Sequence, residues 1–127
     1  MVKAKNIALW ALQALLAFAF LPAGGAKLAG VPAMVQEFDI IGLGQWFRYL
    51  TGALEVGSAI LLLIPRLAGF GAGLLTCVMA GAIVAHLTRL HTPPAAPILL
   101  LALALVVLWG RWSDVAGSLR LAQPGKA

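Results

Sequence analysis

Charge is what this chain has least of. Asp, Glu, Lys and Arg together make up 10% of its 127 residues, and only four of them are acidic. A soluble domain carries about 25% charged residues. With so few, the chain has nothing to coat a water-facing surface, which excludes a soluble globular enzyme. Disorder is excluded as well, because 62% of the residues are hydrophobic. Cysteine is nearly absent: Cys77 stands alone, so there is no intramolecular disulfide, no Cys-x-x-Cys pair and no self-contained thiol–disulfide exchange. A nucleophilic triad, a phosphate loop and a dinucleotide-binding glycine motif are all missing. Gly42-Leu43-Gly44 lies in a connector and Gly69-Phe70-Gly71-Ala72-Gly73 in an apolar run. His86 and His91 have no Cys or carboxylate at zinc-ligand spacing, so no metal is expected. The nine basic residues give a net charge of +5, but they are scattered singly and form no stripe for nucleic acid.

What the chain does have is apolar length, with a mean hydropathy of +1.00. Four windows are nearly free of charge, residues 6–26, 49–65 (interrupted by Glu55), 67–88 and 90–110, and they predict spans at about 6–26, 47–65, 67–88 and 94–111. Each is about 17–22 residues, which matches a hydrocarbon core crossed at 1.5 Å per residue. Backbone groups in hydrocarbon must be paired within the protein, so these windows are predicted as helices. The first resembles a secretory signal but is too long for a signal core, and is expected to be a retained span. Pro65-Arg66 makes a tight turn between the second and third windows, and Thr92-Pro93-Pro94 separates the third from the fourth. Pro97 suits a first helical turn. In the longest connector, Met34, Val35, Phe38 and Ile41 recur at helical spacing after Pro32, predicting a short amphipathic helix. The expected fold is all-α, a bundle of four transmembrane helices with a short amphipathic helix in the first loop. Residues 1–112 would form one domain and residues 113–127 a short cytoplasmic tail.

Four spans place both termini on one side. That side holds Lys3, Lys5, Arg66, Arg111, Arg120 and Lys126; the other holds Lys27, Arg48 and Arg89 beside Glu37 and Asp39. The positive-inside rule then puts the termini in the cytoplasm. Trp10, Trp109 and Trp112 suit an aromatic belt at that face.

Gly69, Gly73, Cys77 and Gly81 recur every fourth residue, a small-residue stripe expected to serve helix packing, within the chain or in a homodimer. Gln13 is a single polar group in the first span, expected to bond across helices. The most informative residue is Glu55, a carboxylate well inside the second span. Such a group persists only when paired, protonated or facing a polar cavity. Arg48 lies on the same helical face and is long enough to lean towards it. Depth and side bring Lys27, Arg48, Glu55, His86 and Arg89 towards one half of the bundle. Two readings stay open: a buried polar network that sets helix register, or a polar-mouthed pocket for an amphiphile, with Glu55 as proton acceptor.

Several stretches resemble the DoxX-like family of small integral membrane proteins. They are the run ending Pro22-Ala23-Gly24-Gly25-Ala26-Lys27-Leu28, the connector Pro32-Ala33-Met34-Val35-Gln36-Glu37-Phe38, Gly52-Ala53-Leu54-Glu55 in the second span, and the Pro65-Arg66-Leu67-Ala68-Gly69 turn. The resemblance covers roughly residues 7–110 and implies a four-helix protein of the bacterial cytoplasmic (inner) membrane. Relatives have been linked to thiosulfate–quinone oxidoreduction and to redox-stress complexes, and distant ones to receptor assembly. It marks Lys27, Arg48 and Glu55 as the polar signature without giving them a role. The expected function is a small-molecule- or quinone-associated accessory protein of a membrane redox system. It would have no cofactor of its own and would bind a quinone or lipid. Its partners would be the bilayer and a membrane protein or second copy, not nucleic acid. The alternative is a non-enzymatic assembly factor or structural subunit. Whether any reaction is catalysed is left open.

Overall fold

Helix accounts for nearly all of the backbone. The structure, a computed structural model, describes residues 2–121. Among them are six α-helices: α1 (Val2–Ala29), α2 (Pro32–Ile41), α3 (Gln45–Leu62), α4 (Ala68–Ala85), α5 (Ala95–Gly110) and α6 (Trp112–Leu121). A π-turn, His86–Leu90, extends α4.

The Ala- and Leu-rich composition of α1 favours helix, and its 28 residues reach about 42 Å. It runs through Pro22 to Ala29, three residues past the expected window. Gly30 then takes a left-handed φ of +73° and reverses the chain. Proline at the first helical position starts α2, and Gly42 ends it, its left-handed N–H donating to the Phe38 carbonyl at 3.2 Å. Phe38 and Ile41 of this helix are buried, as the spacing predicts. The turn at residues 63–67 is closed by Arg66 at φ +74°.

Packing joins α1 to α3, α3 to α4 and α4 to α5, with a lighter contact between α1 and α5. The shared core is Leu16, Ala17, Phe20, Ala59, Leu62, Ala72, Leu75, Met79, Ala104 and Val107. The outward faces are apolar too: Phe18 is 80% exposed, and Val84 and Leu99 about 60%. Water would penalise such a surface, whereas lipid does not. Two stretches are long and apolar enough to cross a membrane, Lys3–Ala29 and Ala68–Leu90. A third arises if α5 and α6, bent by 57°, are counted as one. Arg48 and Glu55 make α3 more polar than these.

Much of the segment expected as a short tail is helix. Asp114 lies in the first turn of α6 and Arg120 in the last, which suits the helix dipole. Val115 is buried. The rest of that expected tail, residues 122–127 with Lys126, lies outside the described residues.

Candidate functional site: a mixed-charge cavity

The last turn of α1 and the middle of α3 meet through charge. Lys27 Nζ lies 2.8 Å from Glu55 Oε1, with the two side chains 15% and 2% exposed. The approach is possible because glycines remove the side chains between the helices. A Cβ on Gly24 would stand 2.8 Å from the Gly52 carbonyl oxygen, and one on Gly52 would stand 2.9 Å from that of Gly24. Backbone therefore packs on backbone one turn away from the ion pair.

The pair sits on the wall of a cavity of about 420 Å³. Phe20, Leu54, Val78, Met79 and Leu100 give it an apolar lining. Glu37, Phe38 and Ile41 of α2 cover one side, spaced so that one face of the helix looks inward. Phe47 and Thr51 come from α3. His86 joins them from the start of the π-turn, a local widening of the helix that often marks functional sites. Its Nδ1 is 2.6 Å from Thr92 Oγ1.

Of the five residues grouped from the sequence, the structure brings Lys27, Glu55 and His86 onto this wall. Arg48 is buried beside them but does not pair with Glu55. Its Nη1 donates to the Lys27 carbonyl and its Nε to Gln45 Oε1 at 2.6 Å. The Gly30 and Val31 N–H groups both go to the Ala26 carbonyl, which leaves the Lys27 carbonyl to draw the guanidinium. Arg48 also stacks over Tyr49, 4.3 Å from the ring centroid. Arg89 is exposed on the π-turn and takes no part in the cavity wall.

The small-residue stripe divides. A Cβ on Gly69 would stand 2.5 Å from Val115 Cγ2, so α6 packs closely there. A Cβ on Gly73 would make only an ordinary contact, and one on Gly81 would meet no neighbouring atom within 4 Å. Cys77 and Gly81 line the cavity instead. Among the described residues, no group of three His, Cys, Asp or Glu side chains is placed to hold a metal ion.

The sequence reading missed Glu37 as a member of the site. Its signal was position: it precedes Phe38 in the amphipathic connector helix and shares that helix's inward face. A second polar cluster, at the opposite end, was half seen. Gln13 is fully buried. It donates to the Leu62 carbonyl at 2.8 Å and accepts from Arg111 Nε at 2.7 Å. Arg111 Nη1 donates to Asn6 at 2.9 Å.

An all-α chain with lipid-compatible faces and an ion pair on the wall of a half-open cavity is a membrane protein with a candidate small-molecule site. The DoxX-like family model matches residues 11–108, and the chain belongs to that family. It is also 40% identical over 75 residues to YdgD, an uncharacterized protein of Bacillus subtilis. That match covers 55% of this chain and 66%, just under two thirds, of the relative. No solved structure matches the chain.

Proposed function

We propose that this protein crosses the bacterial cytoplasmic membrane four times and holds a small amphiphile in the Lys27–Glu55 cavity, as an accessory protein of a membrane redox system. The observation that carries this reading is the ion pair, at 2.8 Å, on the wall of a mostly apolar space of about 420 Å³. A buried pair is a poor stability device, since desolvation offsets most of its attraction. On a cavity wall it has another use. Ligand sites are mostly apolar with a few convergent polar groups that orient the ligand. A quinone and a lipid are both amphiphiles of the kind the space suits. The redox setting comes from the family, and the chain contributes no redox cofactor of its own.

Four spans follow if α3 and α5 cross alongside α1 and α4; the 18 residues of α3 reach about 27 Å. Lys3, Lys5, Arg66, Arg111 and Arg120 then share the end that holds both termini, which the positive-inside rule puts in the cytoplasm.

Native mass spectrometry of the chain purified in mild detergent tests the site. A bound small-molecule mass is expected, and it is lost in Glu55→Gln while that variant stays monodisperse. A wild-type chain that is empty under every extraction condition overturns the reading. So does a Glu55→Gln variant that retains the ligand.

A second reading, an assembly factor or structural subunit, draws on Gly81, which is exposed at the cavity's edge and where an added Cβ would meet no neighbouring atom within 4 Å. That open, small-residue face suits a helix from a partner or a second copy. A stoichiometric protein partner in the same spectrum decides for it.

A further inference from the structure

The cavity wall is unbalanced in charge. It carries two carboxylates, Glu37 and Glu55, against one ammonium, Lys27. That ammonium is already engaged by Glu55. Glu37 is half-buried and has no ion-pair or hydrogen-bond partner among the described residues. The neighbouring groups are committed elsewhere. Arg48 donates to the Lys27 carbonyl and to Gln45, and is not on the wall. Asp39 accepts from Gln45 at 2.8 Å. His86 Nδ1 is taken by Thr92.

An occupant that fills the cavity strips water from the Glu37 carboxylate. A buried acceptor left without a donor costs the full desolvation of that group, and more when it is charged. A ligand head that only accepts hydrogen bonds leaves this deficit in place, and an anionic head deepens it. A head that donates and carries positive charge removes it. The aromatic rings on the wall point the same way. Phe20, Phe38 and Phe47 all line the space, with the Phe38 and Phe47 centroids 5.9 Å apart. Ring faces attract cations, most strongly where water is excluded.

We infer that the occupant is an apolar chain bearing an ammonium head, with the head held by Glu37 and the phenylalanine rings and the chain laid along Leu54, Val78 and Leu100. The inference rests on the amphiphile reading above and narrows it to one class of ligand. It selects against a quinone ring, whose carbonyls only accept.

The full chain in nonionic detergent is incubated in turn with dodecylamine, dodecanol and dodecanoate, and bound adducts are counted by native mass spectrometry. The net charge of +5 works against the amine, so a general electrostatic attraction predicts the opposite order. Dodecylamine is expected to bind about tenfold more tightly than dodecanol, with dodecanoate weakest. Glu37→Gln is expected to reduce the amine to the level of the alcohol while dodecanol still binds. Equal or better retention of dodecanol or dodecanoate overturns the ammonium assignment and leaves the amphiphile reading standing. An amine preference that survives Glu37→Gln overturns the role given to Glu37. No adduct with any of the three overturns both the assignment and the reading beneath it.

Discussion

Lys27 Nζ meets Glu55 Oε1 at 2.8 Å, joining the last turn of α1 to the middle of α3, with the carboxylate 2% exposed. Removing the cation alone strands a buried negative charge. Lys27→Met is therefore expected to destabilise the protein by about 3 kcal/mol. Glu55→Gln costs less, about 1 kcal/mol, because the amide oxygen still accepts from Lys27. The double variant Lys27→Met/Glu55→Gln has no charge left to strand and is expected to recover most of the loss. Thermal unfolding in detergent reads all three. Single costs that simply add in the double variant mean that the two groups do not interact.

At the other end of the helices, Gln13 ties three elements together. Its amide donates to Leu62 at the end of α3 and accepts from Arg111, just past α5. Gln13→Ala leaves a buried carbonyl and a guanidinium N–H without partners, at a cost of about 2 kcal/mol. Asn6→Ala removes only an exposed contact with the same arginine, and its cost should stay under about 1 kcal/mol. Equal shifts in unfolding temperature for the two variants would mean that Gln13 is not the joint between the helices.

How much of this was legible beforehand depends on which force set each feature. The helices up to α5 were readable because composition dictates them, whereas α6 lies where a tail was expected. The α2 helix was readable because Phe38 and Ile41 repeat at helical spacing. The pairing of Lys27 with Glu55 was legible as co-location but not as contact, since helix rotation is set by side-chain packing and has no single-residue signature. Arg48 shows the difference. Its spacing from Glu55 suggested a pairing, yet the Lys27 carbonyl, left without a backbone donor, competes for the same guanidinium and wins by proximity. Glu37 was read as a charge in the connector helix and not as part of the site, because the spacing of Phe38 and Ile41 does not say that α2 packs against α3 and the π-turn.

Glycine spacing also misleads unless contacts are known. Gly24 and Gly52 face each other's carbonyls at under 3 Å from an added Cβ. Alanine at either position is expected to push α1 and α3 apart and cost about 1–3 kcal/mol. A Cβ added at Gly57 or Gly81 would meet no neighbouring atom within 4 Å. Alanine there is expected to be neutral, or stabilising by up to about 1 kcal/mol through helix propensity. Unfolding temperatures for the four single variants should fall into these two groups. A large loss at Gly81 would mean that its face is packed against something outside this chain, and would favour the assembly reading.

Gln45 fastens the cover of the cavity. Its amide nitrogen donates to the Val35 carbonyl at 3.0 Å and to Asp39 at 2.8 Å, while its oxygen accepts from Arg48. The α2 helix that it holds is flanked by Gly30 and Gly42, both at left-handed φ. Few other polar contacts hold α2 in place, and segments held by few bonds open locally without global unfolding. Gln45→Ala should speed hydrogen exchange across residues 34–41 by about tenfold, while global stability falls by about 1 kcal/mol or less. Gln45→Glu should behave alike: the carboxylate still accepts from Arg48 but repels Asp39 and offers Val35 no donor. Exchange in α2 that stays at the wild-type rate in both variants would show that Phe38 and Ile41, through apolar burial alone, keep the cover closed.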